Sequence, residues 1–405
     1  VTAPSDTGGG HVLVVNAGSS SVKLAVLDPE SGRRALTGLA ERVGTPDASV
    51  RIDRDGERST STPDDGSHAG VIAALLSLMT DDERGSLVAV GHRVVHGGPA
   101  YSSSVVIDDD VHDALESLVP LAPLHLPGNL AGIDATAAAL PDLPQVAVFD
   151  TAFHRTMPER AAQYAVPTAW RDDLDVRRYG FHGTSHRYVS GYARDLWFDD
   201  GRDVRMVTLH LGNGCSAAAV ANGVSLDTTM GFTPLEGLVM GSRSGDIDPG
   251  VIPYVAERLG VDAAEVVRRL NTESGLLGVS GSSNDMRTLL EAADAGDDDA
   301  ALAVELFCYR AAKHVAALSV ALGRLDAVVF TGGIGENSAA VRARIVEHLG
   351  VLGLELDLAV NAGHGGIVDG VVHRGRISPV GARPLVLVVR TDEEYLIARD
   401  TADLL

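Results

Sequence analysis

Two stretches of this chain share one plan and lie half a chain apart. Val12-Leu-Val-Val-Asn-Ala-Gly-Ser-Ser-Ser-Val-Lys and Leu209-His-Leu-Gly-Asn-Gly-Cys-Ser-Ala-Ala-Ala-Val each run from an apolar strand through a small polar turn into a second strand. Asn16 and Asn213 are 197 residues apart in a sequence of 405. A strand–turn–strand duplicated at half-length predicts two similar lobes, each opening with its own turn. The alternative, two unrelated Gly/Ser hairpins, stays open at this level because such turns are common. Length points the same way, since one core seldom organises more than ~100–200 residues.

Apolar runs of strand length alternate with longer amphipathic stretches, the pattern of an α/β protein. Strands are predicted at Val12–Val15, Lys23–Leu27, Leu87–Val90, Val146–Phe149, Met206–Leu211, Ala217–Ala221, Ala327–Phe330 and Leu385–Val389. Helices are predicted at Gly70–Met79, Val111–Val119, Asn129–Leu140, Ser185–Leu196, Ala263–Leu270, Ala300–Leu322 and Ala339–His348. Ser338 is placed to cap the last of these and Gly350 to stop it.

Composition excludes several classes. Acidic residues number 55 against 33 basic, a net charge of −22, which argues against a nucleic-acid partner. The acidic runs Asp108–Asp110 and Asp297–Asp299 read as solvated loops or helix starts. No apolar run approaches ~18 residues, so no membrane span is expected. Val1–Gly10 lacks the basic and apolar regions of a signal peptide and reads as a short flexible tail. The two cysteines, Cys215 and Cys308, lie among small apolar residues, where neither a disulfide framework nor a thiolate metal site is expected. A cytoplasmic location is the default. Of the basic residues only Lys23 and Lys313 are lysine, so arginine is the general cation here.

Three glycine-rich turns at strand ends are the strongest chemical signal: the two related turns and Thr331-Gly-Gly-Ile-Gly-Glu-Asn-Ser, which follows a buried strand and precedes a helix. Backbone N–H groups in such turns can receive an anion. None matches the P-loop pattern, and no dinucleotide fingerprint is present. With Lys23, the three turns look like a nucleotide cradle. Arg93, in Gly91-His-Arg-Val-Val-His-Gly-Gly, and Arg243, in Met240-Gly-Ser-Arg-Ser-Gly-Asp, offer planar forks to a carboxylate or phosphate; ordinary structural ion pairs are the alternative. His92/His96 and His182/His186 are spaced i, i+4 but lack the glutamate of a zinc-protease helix, so a hydrogen-bonding role for His182 is preferred to a metal. Asp150 ends an apolar strand, where ligands of α/β sheets usually bind; Glu393 and Glu394 follow the last strand. Asp150 could hold a metal through water, orient a nucleophile or cap a helix, and for Glu393 and Glu394 the residues alone favour a solvated surface.

These motifs, with Phe149-Asp-Thr-Ala-Phe-His, Tyr179-Gly-Phe-His-Gly-Thr-Ser-His and Thr391-Asp-Glu-Glu, occur together and in order. The chain after residue 11 thereby resembles the acetokinase family, within the superfamily of acetate and sugar kinases, chaperone ATPases and actin. The resemblance implies two duplicated ribonuclease H-like lobes with an active-site cleft between them. The N-terminal lobe would be residues 1–151 rejoined by 394–405, and the nucleotide-binding lobe residues 152–393. It implies Mg2+-dependent phosphoryl transfer from ATP to acetate, giving acetyl phosphate and ADP, in a homodimer; Mn2+ is a substitute metal. Asn16 and Glu393 would belong to the metal site and Lys23 to the ATP phosphates. Arg93 and Arg243 would flank acetate and the moving phosphoryl group, His182 would stabilise the transition state, and Asp150 would be the catalytic carboxylate. The nucleotide would lie against His210, Leu211, Gly212, Asn213 and Gly214, against Asp285, Met286 and Arg287, and against Gly333, Ile334, Gly335, Glu336 and Asn337. Val95, Leu124, Phe181 and Pro234 would line the methyl pocket.

The chemistry agrees with that division. A carboxylate with pKa ~4 is already ionised at neutral pH and needs no general base, so Asp150 is better explained by orienting a metal or water. The obstacle is charge, an anionic acid meeting an anionic γ-phosphate, and cations meet it. Two departures from the family pattern stand out. Leu126 and Gly128 alter the loop Pro123-Leu-His-Leu-Pro-Gly-Asn, which predicts a more flexible loop. Asp392 adds a negative charge beside the expected metal residue. The alternatives are a propionate or butyrate kinase with the same machinery, a chaperone- or actin-like ATPase, and a sugar kinase with Asp150 as base.

Overall fold

The computed structural model describes residues 10–198, 201–368 and 371–405. The tail expected over Val1–Gly10 therefore lies, except for Gly10, outside the described residues. Contacts divide the chain into two compact units, Val1–Ala152 with Asp392–Leu405, and Phe153–Thr391.

The first unit is built on eight strands: β1 (His11–Ala17), β2 (Ser21–Leu27), β3 (Arg34–Glu41), β4 (Ser49–Arg54), β5 (Glu57–Ser61), β6 (Leu87–Val94), β7 (Val105–Val106) and β8 (Gln145–Phe149). They pair in the order β5-β4-β3-β2-β1-β6-β8-β7. The second unit holds β9 (Arg205–Leu211), β10 (Cys215–Ala221), β11 (Val224–Thr228) and β12 (Ala327–Thr331), a two-stranded ribbon of β13 (Ile367–Val368) and β14 (Val371–Val372), and β15 (Leu385–Val388). Its main sheet runs β11-β10-β9-β12-β15.

The two sheets share a five-stranded core. In the first, β3, β2 and β1 pair antiparallel and β1, β6 and β8 pair parallel. In the second, β11, β10 and β9 pair antiparallel and β9, β12 and β15 pair parallel. Order and sense match strand for strand. This duplicated α/β architecture is the one expected, and it removes the chance-hairpin alternative. All eight predicted strands are present; β3, β4, β5 and β11 were not predicted because polar residues interrupt or replace their apolar positions, and β7, β13 and β14 because each is two residues long.

The central strands are apolar on both faces because helices cover both. In the first unit Leu13, Val15, Val22 and Leu24 face Ile72, Leu75 and Leu76 of the helix His68–Ser77. On the other face Val12, Val14, Val146 and Val148 meet Ile397 and Ala398 of the helix Glu393–Ala402. Gly91 in β6 permits that contact: a Cβ there would lie 2.3 Å from Thr401 Oγ1 and 2.9 Å from Ile397 Cγ2. In the second unit Val189 and Ala193 of the helix Gly183–Trp197 pack on Met206, Ala218 and Val329. The 25-residue helix Asp298–Leu322 packs against β9, β10 and β11.

Both acidic runs are helix starts. The Asp108 carboxylate accepts from the Val111 amide and Asp297 from the Ala300 amide, satisfying orphan donors at the positive end of each helix. Ser338 accepts from the Val341 amide as predicted.

Candidate active site

The loop carrying the first family departure, Leu126 and Gly128, is held by close contacts. Leu126 and Pro127 open the helix Leu126–Ala139, and Leu126 is fully buried against Val94, Leu130 and Phe149. Gly128 sits against the first glycine turn, where a Cβ would meet the Gly18 carbonyl carbon at 2.9 Å. Asn129 ties the same turn down. Its amide nitrogen donates to the Ala17 carbonyl at 2.6 Å and its oxygen accepts from the Val95 amide at 3.0 Å. The flexible loop expected from Leu126 and Gly128 is thus corrected. An apolar residue gained a core position, and a glycine allowed close backbone approach.

Strands β6 and β8 end beside each other, placing Arg93 and Asp150 together. Arg93 donates from Nε and Nη2 to the two Asp150 oxygens, at 3.0 and 2.7 Å. Asp150 is 1% exposed. Burial works against the Arg93 charge, but the Asp150 and Glu393 carboxylates more than offset it and raise its pKa. Glu393 stands 3.8 Å from Arg93 Nε, beyond hydrogen-bond reach, in the first turn of the last helix. Asp392 caps that helix and receives two hydrogen bonds from Arg34, at 2.6 and 3.2 Å, so its extra charge is neutralised locally. Asn16 lies opposite Lys23 across the first hairpin. Its side-chain amide makes no hydrogen bond among the described residues, and Lys23 is exposed.

In the second unit Arg243 differs in every respect. Its Nη1 donates to the Pro234 carbonyl at 2.9 Å, and among the described residues no carboxylate pairs with it. Burial accordingly pulls its pKa below the ordinary arginine value. His182 and Arg243 flank Gly214: a Cβ there would lie 3.6 Å from His182 Nε2 and 3.8 Å from Arg243 Nη2. His182 has left-handed backbone angles, φ 56° and ψ 28°, just before the helix Gly183–Trp197, and its ring stacks on His210 at 4.4 Å. Its Nδ1 is 2.8 Å from Ser216 Oγ. The adjacent Cys215 thiol is pushed up to about 12 by burial and stays neutral.

The second and third glycine turns meet the segment Asn284–Leu290 around a cavity of about 730 Å³. Gly212, Asn213, Asp285, Met286, Arg287, Gly333, Ile334 and Asn337, all among the residues expected to meet a nucleotide, line it. The volume lies in the range of small-molecule sites. His210, Leu211, Gly214, Gly335 and Glu336 are not among the residues that line it. Leu211 is fully buried, and Glu336 accepts from Thr331 Oγ1 and from the amides of Gly332 and Thr391. Sequence reasoning missed Asn284, Leu290 and Ser338–Ala340 in the lining. Leu290 was recoverable, one turn after Met286 on the helix Met286–Asp294. Gly241 makes the corner possible, because a Cβ there would sit 2.0 Å from Asn213 Oδ1.

The expected methyl-pocket residues are divided between the units. Val95 and Leu124 belong to the first, Leu124 being 60% exposed; Phe181, fully buried, and Pro234 belong to the second. The paired histidines that might suggest zinc have other partners: His92 Nε2 meets Gln145 Oε1 and His96 Nδ1 accepts from the Gly98 amide. Among the described residues no helix is long and apolar enough to cross a membrane.

Fold and site together define a two-unit α/β protein with duplicated sheets and a nucleotide-sized cavity in its second unit. The sequence model of the Acetokinase family matches residues 11–399. The acetate kinase of Deinococcus radiodurans is 52% identical over 393 residues, covering 96% of this chain and 97% of that protein. Acetate kinase 2 of a serogroup A strain of Neisseria meningitidis is 50% identical over 97% of this chain and 98% of its own. Among solved structures, a propionate kinase from Francisella tularensis superposes with a TM-score of 0.92 at 41% identity, over 98% of this chain and 100% of that one. Porphyromonas gingivalis acetate kinase superposes with 0.89 at 42%, over 98% and 99%. The chain belongs to the acetokinase family.

Proposed function

We propose that this protein is an acetate kinase, transferring the γ-phosphoryl group of ATP reversibly to acetate to give acetyl phosphate and ADP. The observation that carries the reading is Arg243, a half-buried cation that among the described residues has no carboxylate partner, set with His182 around Gly214 in the unit that holds the cavity. A guanidinium partly withdrawn from water and left unneutralised is costly unless an anion completes it. Acetate and the moving phosphoryl group are anions of the right size and geometry.

In this reading an acetate oxygen attacks the γ-phosphorus in line, a carboxylate O–P bond forms, and the bond to the ADP oxygen breaks without a phosphoenzyme. Acetate arrives ionised, so no residue need remove a proton. Arg243 and His182 donate to the oxygens on which charge accumulates. Arg93 meets the acid, with Asp150 locking its fork. Val95, Leu124, Phe181 and Pro234 receive the methyl group, and Lys23 and the glycine turns hold the phosphates. Asp150 acts as an orienting group rather than a base, because both its oxygens accept from Arg93.

Asn16 and Glu393 would hold Mg2+, with Mn2+ as a substitute. One amide and one carboxylate oxygen are hard donors, and an ion that keeps several waters needs only one or two protein ligands. The unspent amide of Asn16 supports that fit. Bound there, the metal would neutralise phosphate charge. The homodimer, and a cytoplasmic location where ATP is supplied, are part of the same proposal.

Hydroxylamine trapping of acyl phosphate with Mg-ATP tests it, comparing acetate, propionate and butyrate. Fastest trapping with acetate is expected. Faster trapping with propionate would keep the mechanism and move the protein toward the Francisella tularensis enzyme it superposes on. One methylene is worth only ~1–3 kcal/mol, so partial overlap is normal. Steady ATP hydrolysis with no acyl phosphate would overturn the kinase reading.

A further inference from the structure

Behind His182 a chain of hydrogen bonds runs into the interior. His182 Nδ1 lies 2.8 Å from Ser216 Oγ, and the same oxygen lies 2.8 Å from His186 Nε2. His186 Nδ1 lies 2.7 Å from Thr208 Oγ1. Ser216, His186 and Thr208 are all fully buried. Two of these links come from strands β10 and β9, and His186 stands one turn beyond His182 on the helix Gly183–Trp197, so three elements converge on one ring.

We propose that Ser216 and His186 are positioning residues that hold His182 in the tautomer whose proton sits on Nε2, the nitrogen beside Gly214 and away from Ser216. The inference rests on the proposed function for its use, but its argument is a proton count. Burial, with His154 and His210 nearby, keeps the His186 pKa well below the ordinary histidine value, so the ring is neutral and carries one N–H. Ser216 and Thr208 each have one O–H to donate.

Two directions run the chain head to tail; if both rings instead donated to Ser216 Oγ, the Ser216 hydroxyl proton would have no acceptor among the described residues. In the first, the Thr208 hydroxyl donates to His186 Nδ1, His186 Nε2–H donates to Ser216 Oγ, and the Ser216 hydroxyl donates to His182 Nδ1. Every buried proton then has an acceptor. In the second, His182 Nδ1–H donates to Ser216, Ser216 donates to His186 Nε2, and His186 Nδ1–H donates to Thr208. The Thr208 hydroxyl proton is then left over, and among the described residues Thr208 Oγ1 makes no other hydrogen bond. A buried unsatisfied donor costs about 1–3 kcal/mol, so the first direction is favoured. It makes Nδ1 an acceptor and leaves Nε2 as the donor. In the proposed reaction that is the atom able to donate to the phosphoryl oxygens beside Arg243.

Selective 15N labelling of histidine with two-bond proton–nitrogen correlation reads the tautomer directly, with His182 assigned by its loss in His182→Gln. The expected spectrum of the unmodified protein shows Nδ1 unprotonated and Nε2 protonated. A protonated Nδ1 would overturn the proposal, and this readout needs no turnover. In Ser216→Ala the two nitrogens should shift toward averaged values. The turnover number for acetyl phosphate formation should fall ~10-fold, with KM for acetate and ATP within about two-fold. Ser216→Thr, which keeps the hydroxyl, should restore both. A Ser216→Ala protein with the unmodified tautomer would also sink the idea. Absence of acyl phosphate from every form would instead strike the kinase reading and leave the spectrum to decide the tautomer.

Discussion

Arg93 and Arg243 are the same side chain in two electrostatic settings. Arg93, in the first unit, is locked by a bidentate carboxylate with a second carboxylate 3.8 Å away. Arg243, in the second, has a carbonyl and no carboxylate partner among the described residues. The first is a cation whose charge is already answered and whose geometry is fixed. The second is a cation held ready for an anion. A sequence motif of glycines around an arginine does not separate these cases, because the deciding carboxylate, Asp150, lies 57 residues from Arg93.

The contrast can be broken by paired substitutions. Arg243→Ala should lower the rate of acetyl phosphate formation ~10²–10³-fold, as loss of one transition-state donor does. Its unfolding free energy should hold or rise, because a half-buried charge without a carboxylate partner is gone. Arg93→Ala should also lose rate, and in addition should destabilise the protein by about 3–5 kcal/mol, because buried Asp150 is left without its fork. Equal denaturation midpoints for the two variants would erase the distinction.

Acid should act next. His92, His96 and His154 are buried, and burial lowers each pKa to about 4; burial also holds His186 well below the ordinary histidine value. The unfolded chain therefore binds more protons than the folded one between about pH 6.5 and 4. Stability is full above that window and falls as pH drops through it, by on the order of 2 kcal/mol per histidine at pH 5. Chemical denaturation at pH 7 and pH 5 measures this, and His92→Gln should flatten the dependence. An unchanged midpoint would show that these rings are protonated in the folded state.

Gly91→Ala should destabilise by about 1–3 kcal/mol, since its Cβ would overlap Thr401 and Ile397 on the last helix. Thr401→Ala should relieve part of that loss. The smallest effect is expected at Asp392. Because Arg34 already neutralises it, Asp392→Asn should change stability by under ~1 kcal/mol and leave the Mg2+ concentration for half-maximal activity nearly unmoved. A large change there would mean that the charge reaches the proposed metal site after all.

Much was legible in the sequence because it is local. The central strands announce themselves as apolar runs, and the three glycine turns follow from residue types that permit tight turns. The duplication was visible only as two similar hairpins; the matching order and sense of ten strands made it a fact of the fold. Strands β3, β4 and β11 escaped because their half-exposed, polar-interrupted patterns resemble loops. The cavity of the second unit was legible in its glycine walls, and less so in Asn284 and Leu290, which reach it from the turn before the helix Met286–Asp294 and from that helix.

The sequence by itself determined the α/β class, the acidic character, the positions of the turns and the residue types gathered for an anion. Those depend on neighbours along the chain, on periodicity and on backbone freedom. The tertiary structure alone decided that Leu126 is core, that Asp392 is neutralised by Arg34, that Arg93 is paired while Arg243 is not, and that Ser216 and His186 stand behind His182. Each depends on which distant groups share a few ångströms, and at that range burial and charge pairing set what a side chain can do.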